Sequence, residues 1–266
     1  MLVAGKVVVV TGAGSGMGRQ LSLELTRRAA KVALVDFRAE TLAETAKLVS
    51  ELGGSSSSHV LDVSDRTAVA ALPGAVRDAL GEPDVLINNA GIIQPFVKIN
   101  ELTLEQADHV MQVNFTGPLM LVKSFLPGLL NRPAAHILNV SSMGAYAPVP
   151  GQSVYGASKA AIKLMTEGLR SELLGTNVNV TVVFPGAINT NISVNSGMAM
   201  PAGGAEESKF KMTEAPVAAK QMVDAIEKNQ PRICIGQDSK MMDFMTRLNP
   251  VWAAGVIYKQ MKSLLK

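Results

Sequence analysis

The sequence predicts a doubly wound α/β fold, with a parallel sheet of about seven strands and helices on both faces. Two observations carry this. Short β-branched runs alternate with longer segments of helical period, the pattern of a parallel sheet covered on both sides. The chain has 266 residues and an apolar content near the globular average, which suits one open α/β domain spanning 1–266 with a large buried core.

The elements follow in order. Val7–Val10 is an unbroken valine run and the first strand, and a helix over Met17–Ala29 follows a glycine-rich turn. Strand Val32–Val35 leads to a helix over Ala39–Leu52, strand Ser58–Leu61 to a helix over Arg66–Leu80, and strand Val85–Ile87 to one long helix over Leu104–Leu130. Strand His136–Val140, helix Tyr155–Leu174, strand Val180–Phe184, helix Pro216–Lys228 and strand Ile233–Ile235 complete the alternation. Right-handed crossovers then place the carboxyl ends of the strands, and any ligand, along one edge. Two segments break the rhythm. Residues 189–215 are rich in Ser, Gly, Met and Ala and too long for an ordinary connection, which predicts a substrate lid on the ligand edge. Gly53–Ser58 reads as a flexible link between helix and strand.

Composition narrows the function classes. Met1–Gly5 lacks the basic start of a secretory signal, and no apolar run approaches the roughly 18 residues of a membrane span. The single cysteine, Cys234, reads as a buried inert thiol in a short strand. His59, His109 and His136 show no metal-ligand spacing, so no metal site is predicted, and a cytoplasmic or similarly reducing location is expected. The pI of about 9.0 has a local origin: Arg232–Lys266 carries six basic residues against Asp238 and Asp243, a net of +4, whereas the whole chain is +3.

The chemistry-bearing residues fall into two groups. T-G-A-G-S-G-M-G, Thr11–Gly18, directly follows the first strand and opens a helix. Such a turn presents backbone N–H groups and a helix N-terminus to a pyrophosphate. The spacing is T-G-x-x-x-G-x-G, carried by Thr11, Gly12, Gly16 and Gly18, with Ser15 and Met17 between them. Asp36 ends the second strand eighteen residues after Gly18, where a carboxylate accepts from an adenosine ribose or, alternatively, closes the strand and caps the next helix. It also repels a 2′-phosphate, favouring NAD over NADP, while Arg38 keeps NADP open as a phosphate partner. The second group is Tyr155 and Lys159 in S-V-Y-G-A-S-K, whose i, i+4 spacing puts both on one helix face. A tunable proton donor beside a phosphate cradle suits a proton-plus-hydride reaction on a nucleotide.

With these motifs in place, the chain resembles the short-chain dehydrogenase/reductase family over nearly its whole length. The resemblance rests on T-G-A-G-S-G-M-G, Asp62-Val63, N-N-A-G at Asn88–Gly91, Asn114 in V-N-F, N-V-S-S ending at Ser142, Y-G-A-S-K at Tyr155–Lys159 and P-G-A-I-N-T at Pro185–Thr190. It implies a Rossmann-type fold and an NAD-dependent, less favourably NADP-dependent, oxidoreductase of secondary alcohols and ketones. It further implies that Asp62 and Val63 flank the adenine, that Asn89, Ala90 and Gly91 line the cofactor, and that Ile188 and Thr190 meet its nicotinamide end. Ser142, thirteen residues before Tyr155, would hold the carbonyl oxygen, with Ser141 and Asn88 structural. Lys159 would bind the ribose and lower the Tyr155 pKa, and Asn114 would hold a water that passes protons to solvent. A homodimer or homotetramer is the expected unit.

Met143, Ala145, Tyr146, Val149 and Met198 fall in the segments expected to shape the pocket, which suggests a small, neutral, fairly apolar substrate. The tail, about 237–266, reads as apolar and basic helix. Packing against the body or a sister subunit is its first reading and peripheral membrane contact the second, with nucleic-acid binding disfavoured for want of stacking aromatics. A nucleotide-binding scaffold or membrane-surface protein without turnover is the rival function from another class.

Overall fold

The computed structural model describes residues 1–190, 192 and 212–261. Its strands are β1 (Val7–Thr11), β2 (Lys31–Asp36), β3 (Ser56–Val60), β4 (Val85–Asn88), β5 (Ala135–Val140), β6 (Val178–Pro185), the short β7 (Ile188–Asn189) and β8 (Thr213–Glu214), and β9 (Arg232–Ile235). Seven of them form one parallel sheet in the order β3-β2-β1-β4-β5-β6-β9, and β7 and β8 pair with each other. The sheet winds outward in both directions from β1 and β4, and the crevice above their carboxyl ends is where such sheets bind ligands.

Alternation along β1 shows how the valine run serves two cores. Val8 and Val10 face a layer with Leu21 and Leu25 of α1 (Gly16–Arg27), Leu42 of α2 (Ala39–Glu51) and Met222 and Ile226 of α7 (Ala215–Glu227). Val7 and Val9 face the opposite layer, with Val69 and Val76 of α3 (Arg66–Leu80), Leu121 and Phe125 of α5 (Gly117–Leu130) and Leu169 of α6 (Ser153–Glu172). Each fully buried side chain of this kind contributes roughly 1.5–3 kcal/mol.

Three expectations are corrected here. The helix expected over 104–130 is interrupted: α4 (Leu104–Met111) passes into a π turn, Gln112–Thr116, before α5. Gly117 N–H donates five residues back to the Gln112 carbonyl. Pro118 has no N–H to return to Asn114, so the α ladder cannot run through this point. By length and mean hydropathy of 1.2 the whole stretch could cross a bilayer, but Leu121, Val122, Phe125 and Leu129 are spent in the core. The third strand begins at Ser56, inside the segment expected to be a flexible link, because Ser56–Ser58 pair in register with Val32–Leu34. Cys234 is only partly buried, 4.0 Å from the Tyr146 hydroxyl.

At the amino edge of the sheet, Asp84 is 2% exposed and fully partnered: Val7 N–H at 3.0 Å, Arg132 at 2.9 Å and Lys6 at 3.4 Å. His136, also on this edge, is buried with Nε2 2.8 Å from Thr181 Oγ1. Because the Thr181 hydroxyl itself donates to Gln230 O, Nε2 carries the proton and Nδ1 is left without a partner. Burial holds its pKa down at about 3.

The tail forms two helices, α8 (Gln237–Leu248) and α9 (Pro250–Met261), divided at Pro250. Met242 and Ile257 pack with Ala147 and Tyr146, so the tail lies on the body, as its first reading expects for this part. The expected lid is described only at its two ends, where β7 and β8 meet; Met198 lies outside the described residues.

Candidate active site

The glycine-rich turn is built by β1 ending where α1 must begin. Gly12 and Gly16 take φ of +68° and +51°, conformations other L residues rarely adopt. A Cβ on Gly18 would run into the Gly12 carbonyl, so glycine there lets the helix close onto the strand. Ser15 is the N-cap residue of α1, and no acidic residue sits in the helix's first turn, leaving its positive end open to an anion. Arg19 braces the turn by donating to Gly14 O at 2.6 Å and to Glu44 at 2.7 Å.

Thr11 ties this turn to the next strand. Its Oγ1 accepts from the N–H groups of Asn89 and Ala90, both at 3.0 Å, and its carbonyl accepts from Asn89 Nδ2 at 2.9 Å. A cleft of about 420 Å³ opens above, lined by Gly12, Ser15, Gly16, Met17, Gly18, Asp36, Asp62, Val63, Asn89, Ala90, Gly91 and Thr190. Twelve residues proposed from the sequence thus share one cavity. Ile188 is not among the lining residues; it sits in β7 against the core. Phe37, Arg38, Ile92, Pro95 and His109 also line the cleft, and sequence reasoning did not place them there, except for Arg38.

Asp36 is 6% exposed. Its Oδ2 accepts from Gly14 N–H at 2.9 Å and its Oδ1 from Arg38 N–H at 3.0 Å, and each oxygen keeps acceptor capacity. The carboxylate therefore does brace the start of α2, as the alternative reading expected, while still lining the cleft. Arg38 lies over the Phe37 ring at 5.1 Å, and its buried Nε has no hydrogen-bond partner. Asp62 is exposed and organises its own turn by accepting from Ser64 N–H and Oγ–H, both at 2.8 Å.

Asn114, Ser142, Tyr155 and Lys159 meet beyond Gly91. A Cβ on Gly91 would stand 3.0 Å from Lys159 Nζ and 3.2 Å from Asn114 Oδ1. Tyr155 and Ser142 both face Gly144, where a Cβ would stand 3.3 Å from the Tyr155 ring and 3.5 Å from Ser142 Oγ, and the Ser142 Oγ accepts from Gly144 N–H at 3.0 Å. Lys159 Nζ donates to Val140 O at 3.2 Å and lies 5.9 Å from the Tyr155 ring centre. Burial raises the Tyr155 pKa, opposed by the nearby Ser142 hydroxyl, and the same burial lowers Lys159 to about 8. This differs from the expected lysine-driven depression of the tyrosine: the ammonium is itself disfavoured by burial and lies over the ring.

Asn114 is tied into the frame by its side chain. Both donor hydrogens of its side chain are engaged, with Ile92 O at 2.9 Å and Ser158 Oγ at 3.1 Å, and its Oδ1 accepts from Ile92 N–H at 2.9 Å. The side chain thus clamps the loop after β4 to α6, and the main-chain carbonyl is the group that Pro118 deprives of its usual donor. Ser141 donates to Lys159 O at 2.7 Å, and Asn88 donates to Asn139 Oδ1 at 2.7 Å, both inside the frame.

Sequence reasoning missed Gln94. It is fully buried, and its Oε1 accepts from the N–H groups of Val154 at 2.8 Å and Tyr155 at 2.9 Å, while Nε2 donates to Gly151 O at 2.9 Å. It therefore supplies, from a distant loop, the cap that α6 lacks locally. Tyr146 was expected to shape the substrate pocket but turns toward the tail: its hydroxyl is 2.7 Å from Ser239 Oγ and its ring 5.4 Å from that of Phe184. At the rim, Asp238 of α8 accepts from Ala187 N–H at 2.6 Å, and Thr213 N–H donates to Ala187 O at 2.9 Å.

Known proteins share this fold. The family model described as short chain dehydrogenase matches residues 6–200. The chain is 37% identical over 254 residues to the putative oxidoreductase SadH of Mycobacterium tuberculosis, covering 92% of this chain and 91% of that protein. It is 33% identical over 238 residues to dehydrogenase/reductase SDR family member 7B of Mus musculus, covering 86% and 72%. A short-chain dehydrogenase/reductase from Burkholderia phymatum in complex with NAD superposes with a TM-score of 0.79 at 28% identity, over 88% of this chain and 90% of that one. A short chain dehydrogenase from Burkholderia cenocepacia in complex with NADP does so with a TM-score of 0.81 at 28% identity, over 97% and 99%. The chain therefore belongs to the short-chain dehydrogenase/reductase family of oxidoreductases.

Proposed function

We propose that the protein is an NAD-dependent oxidoreductase that interconverts a secondary alcohol and a ketone, with Tyr155 as the group that takes or gives the proton. The observation that carries this is the grouping of Tyr155 and Ser142 around Gly144 with Lys159 and Asn114 around Gly91, which lines the cleft. The cleft suits a dinucleotide: a helix N-terminus free of acidic side chains faces it, and Asp36 retains acceptor capacity at the end of β2. A bound nicotinamide would exchange the hydride and, when oxidised, bring a positive charge that favours tyrosinate. Ser142 would orient the substrate oxygen toward the phenol, and Gln94 would fix the helix turn that carries it. Lys159 would hold the ribose and take up the proton relayed from Tyr155, and the Asn114 carbonyl would seat the water that carries it onward. Asp62 and Val63 would flank the adenine, with Thr190 and Ile188 toward the other end.

NADP is the second reading, favoured by the unpartnered Nε of Arg38 at the cleft wall. Asp36 stands against it, since a 2′-phosphate would meet like charge. A small, neutral, fairly apolar alcohol or ketone is the substrate class proposed. A second copy of the chain would cover the shallow apolar patch of Phe115, Ala160, Ala161, Leu164 and Met165, where Leu164 is exposed. With one cysteine the fold needs no oxidising compartment, and a cytoplasmic site suits it. The test is reduced-nicotinamide absorbance with a panel of secondary alcohols and ketones and both cofactors. Turnover with NAD supports the reading; cofactor binding without turnover across the panel would favour the scaffold alternative.

A further inference from the structure

The two tail helices bury only one side. Met242 and Met245 of α8 and Ala253 and Ile257 of α9 face inward. The opposite side is apolar as well, yet exposed: Phe244 is 66% and Leu248 71% accessible on α8, and Val251, Trp252 and Tyr258 on α9 are 81%, 54% and 54%. On α8, Lys240, Phe244, Arg247 and Leu248 follow one another at i, i+4, i+7 and i+8, so the cations share the apolar stripe. On α9, Lys259 continues the pattern beside Tyr258.

Negative charge is withdrawn from this face. The two helices hold only two carboxylates. Asp238 is buried on the Ala187 amide, and Asp243 is held by Arg232 at 2.6 Å and Arg247 at 3.0 Å. The sequence continues as Lys-Ser-Leu-Leu-Lys, and Arg232–Lys266 as a whole is net +4. An isologous contact with a second copy would set this positive excess against itself, and protein interfaces are depleted in lysine at their centres. Anionic lipid headgroups complement it, and Trp and Tyr rings with basic neighbours suit the boundary between headgroup and acyl chain.

We propose that the outer face of α8 and α9 is a docking surface for an anionic lipid bilayer. Trp252 is the only tryptophan of the chain, so its fluorescence reports on this face without any label. Vesicles of phosphatidylcholine with phosphatidylglycerol, added to the full-length protein at low salt, should shift Trp252 emission to the blue, and lipids brominated in the acyl chain should quench it. Pure phosphatidylcholine should have little effect. High salt should weaken the partitioning about tenfold or more. Lys240→Glu combined with Lys259→Glu removes two cations at roughly fivefold each and adds repulsion, so binding should fall about twentyfold or more with Tm unchanged. Phe244→Ser combined with Leu248→Ser should abolish co-sedimentation with vesicles and leave turnover intact. Three results would overturn the proposal: no shift with anionic vesicles, equal binding by the charge-reversed protein, or emission that is already blue in solution and moves to the red on dilution. The last would assign the face to a second copy.

Discussion

Asp84 and Asp36 are both buried carboxylates at strand ends, on opposite edges of the same sheet, and their surroundings differ. Asp84, on the amino edge, sits between two cations and a backbone amide. Asp36, on the carboxyl edge, meets only two amides and borders an open cleft. A buried charge costs several kcal/mol unless it is partnered. Where the fold supplies the cations itself, the charge is part of the frame; where acceptor capacity is left facing a cavity, the missing partner is a ligand. The same contrast separates His136, sealed in the frame on the amino edge, from Tyr155 and Lys159, whose neighbours leave them adjacent to the cleft.

Substitutions on the two edges should therefore fail in different assays. The largest expected effect is on catalysis: Tyr155→Phe should lower kcat roughly a thousandfold, about 4 kcal/mol of barrier, with cofactor affinity and Tm nearly unchanged. A variant that keeps near wild-type kcat would remove Tyr155 from the proton step. Next comes Asp84→Ala, which strands Lys6, Arg132 and the Val7 amide. Urea denaturation should show a loss of about 3 kcal/mol, with KM and kcat held below the midpoint; a change in KM instead would break the division between edges.

Asp36→Ala should weaken NAD by roughly ten- to a hundredfold, about 1.5–3 kcal/mol, and relieve the penalty against NADP, leaving Arg38 to pair with the phosphate. Kinetics with both cofactors decide this, and a wild type that already prefers NADP would give specificity to Arg38. At neutral pH the effect of His136 is hidden, and it shows only as acid is added. Its folded pKa of about 3 lies below the ordinary 6.5, so the unfolded chain binds the extra proton. Its contribution to stability is complete above 6.5 and is lost as pH falls toward 3, by at most about 1.4 kcal/mol per pH unit. Denaturation midpoints measured across this window should flatten in His136→Asn; an unchanged slope would assign the pH dependence to other groups.

What could be read in advance follows from how local each signal is. The strands were legible because burial on both faces demands continuous apolar runs such as Val7–Val10. The cleft was legible because Gly12–Gly18 and Asn89–Gly91 are contiguous motifs whose backbone does the work. Gln94 was not, since its partners lie about 60 residues away and nothing in its own segment marks an acceptor for the start of α6. The π turn did leave a sign, Gly117-Pro118 within an apparently continuous helix, and so did the break at Pro250. Asp84 left none, because its cations arrive from Lys6 and Arg132 only after the strands align.

Asp238 has a consequence for how the molecule opens. It belongs to α8, yet it grips the Ala187 amide, while the carbonyl of the same residue accepts from Thr213 at the foot of α7. The peptide next in the chain leads to Ile188 and then to Thr190 on the cleft wall. Fraying of the tail therefore cannot proceed as an isolated event, because it releases the hydrogen-bonded knot from which the rim is suspended. In hydrogen exchange, α8, Ala187 and the β7–β8 pair should therefore open as one cooperative unit, which would set the lifetime of the cleft's edge from the far end of the chain.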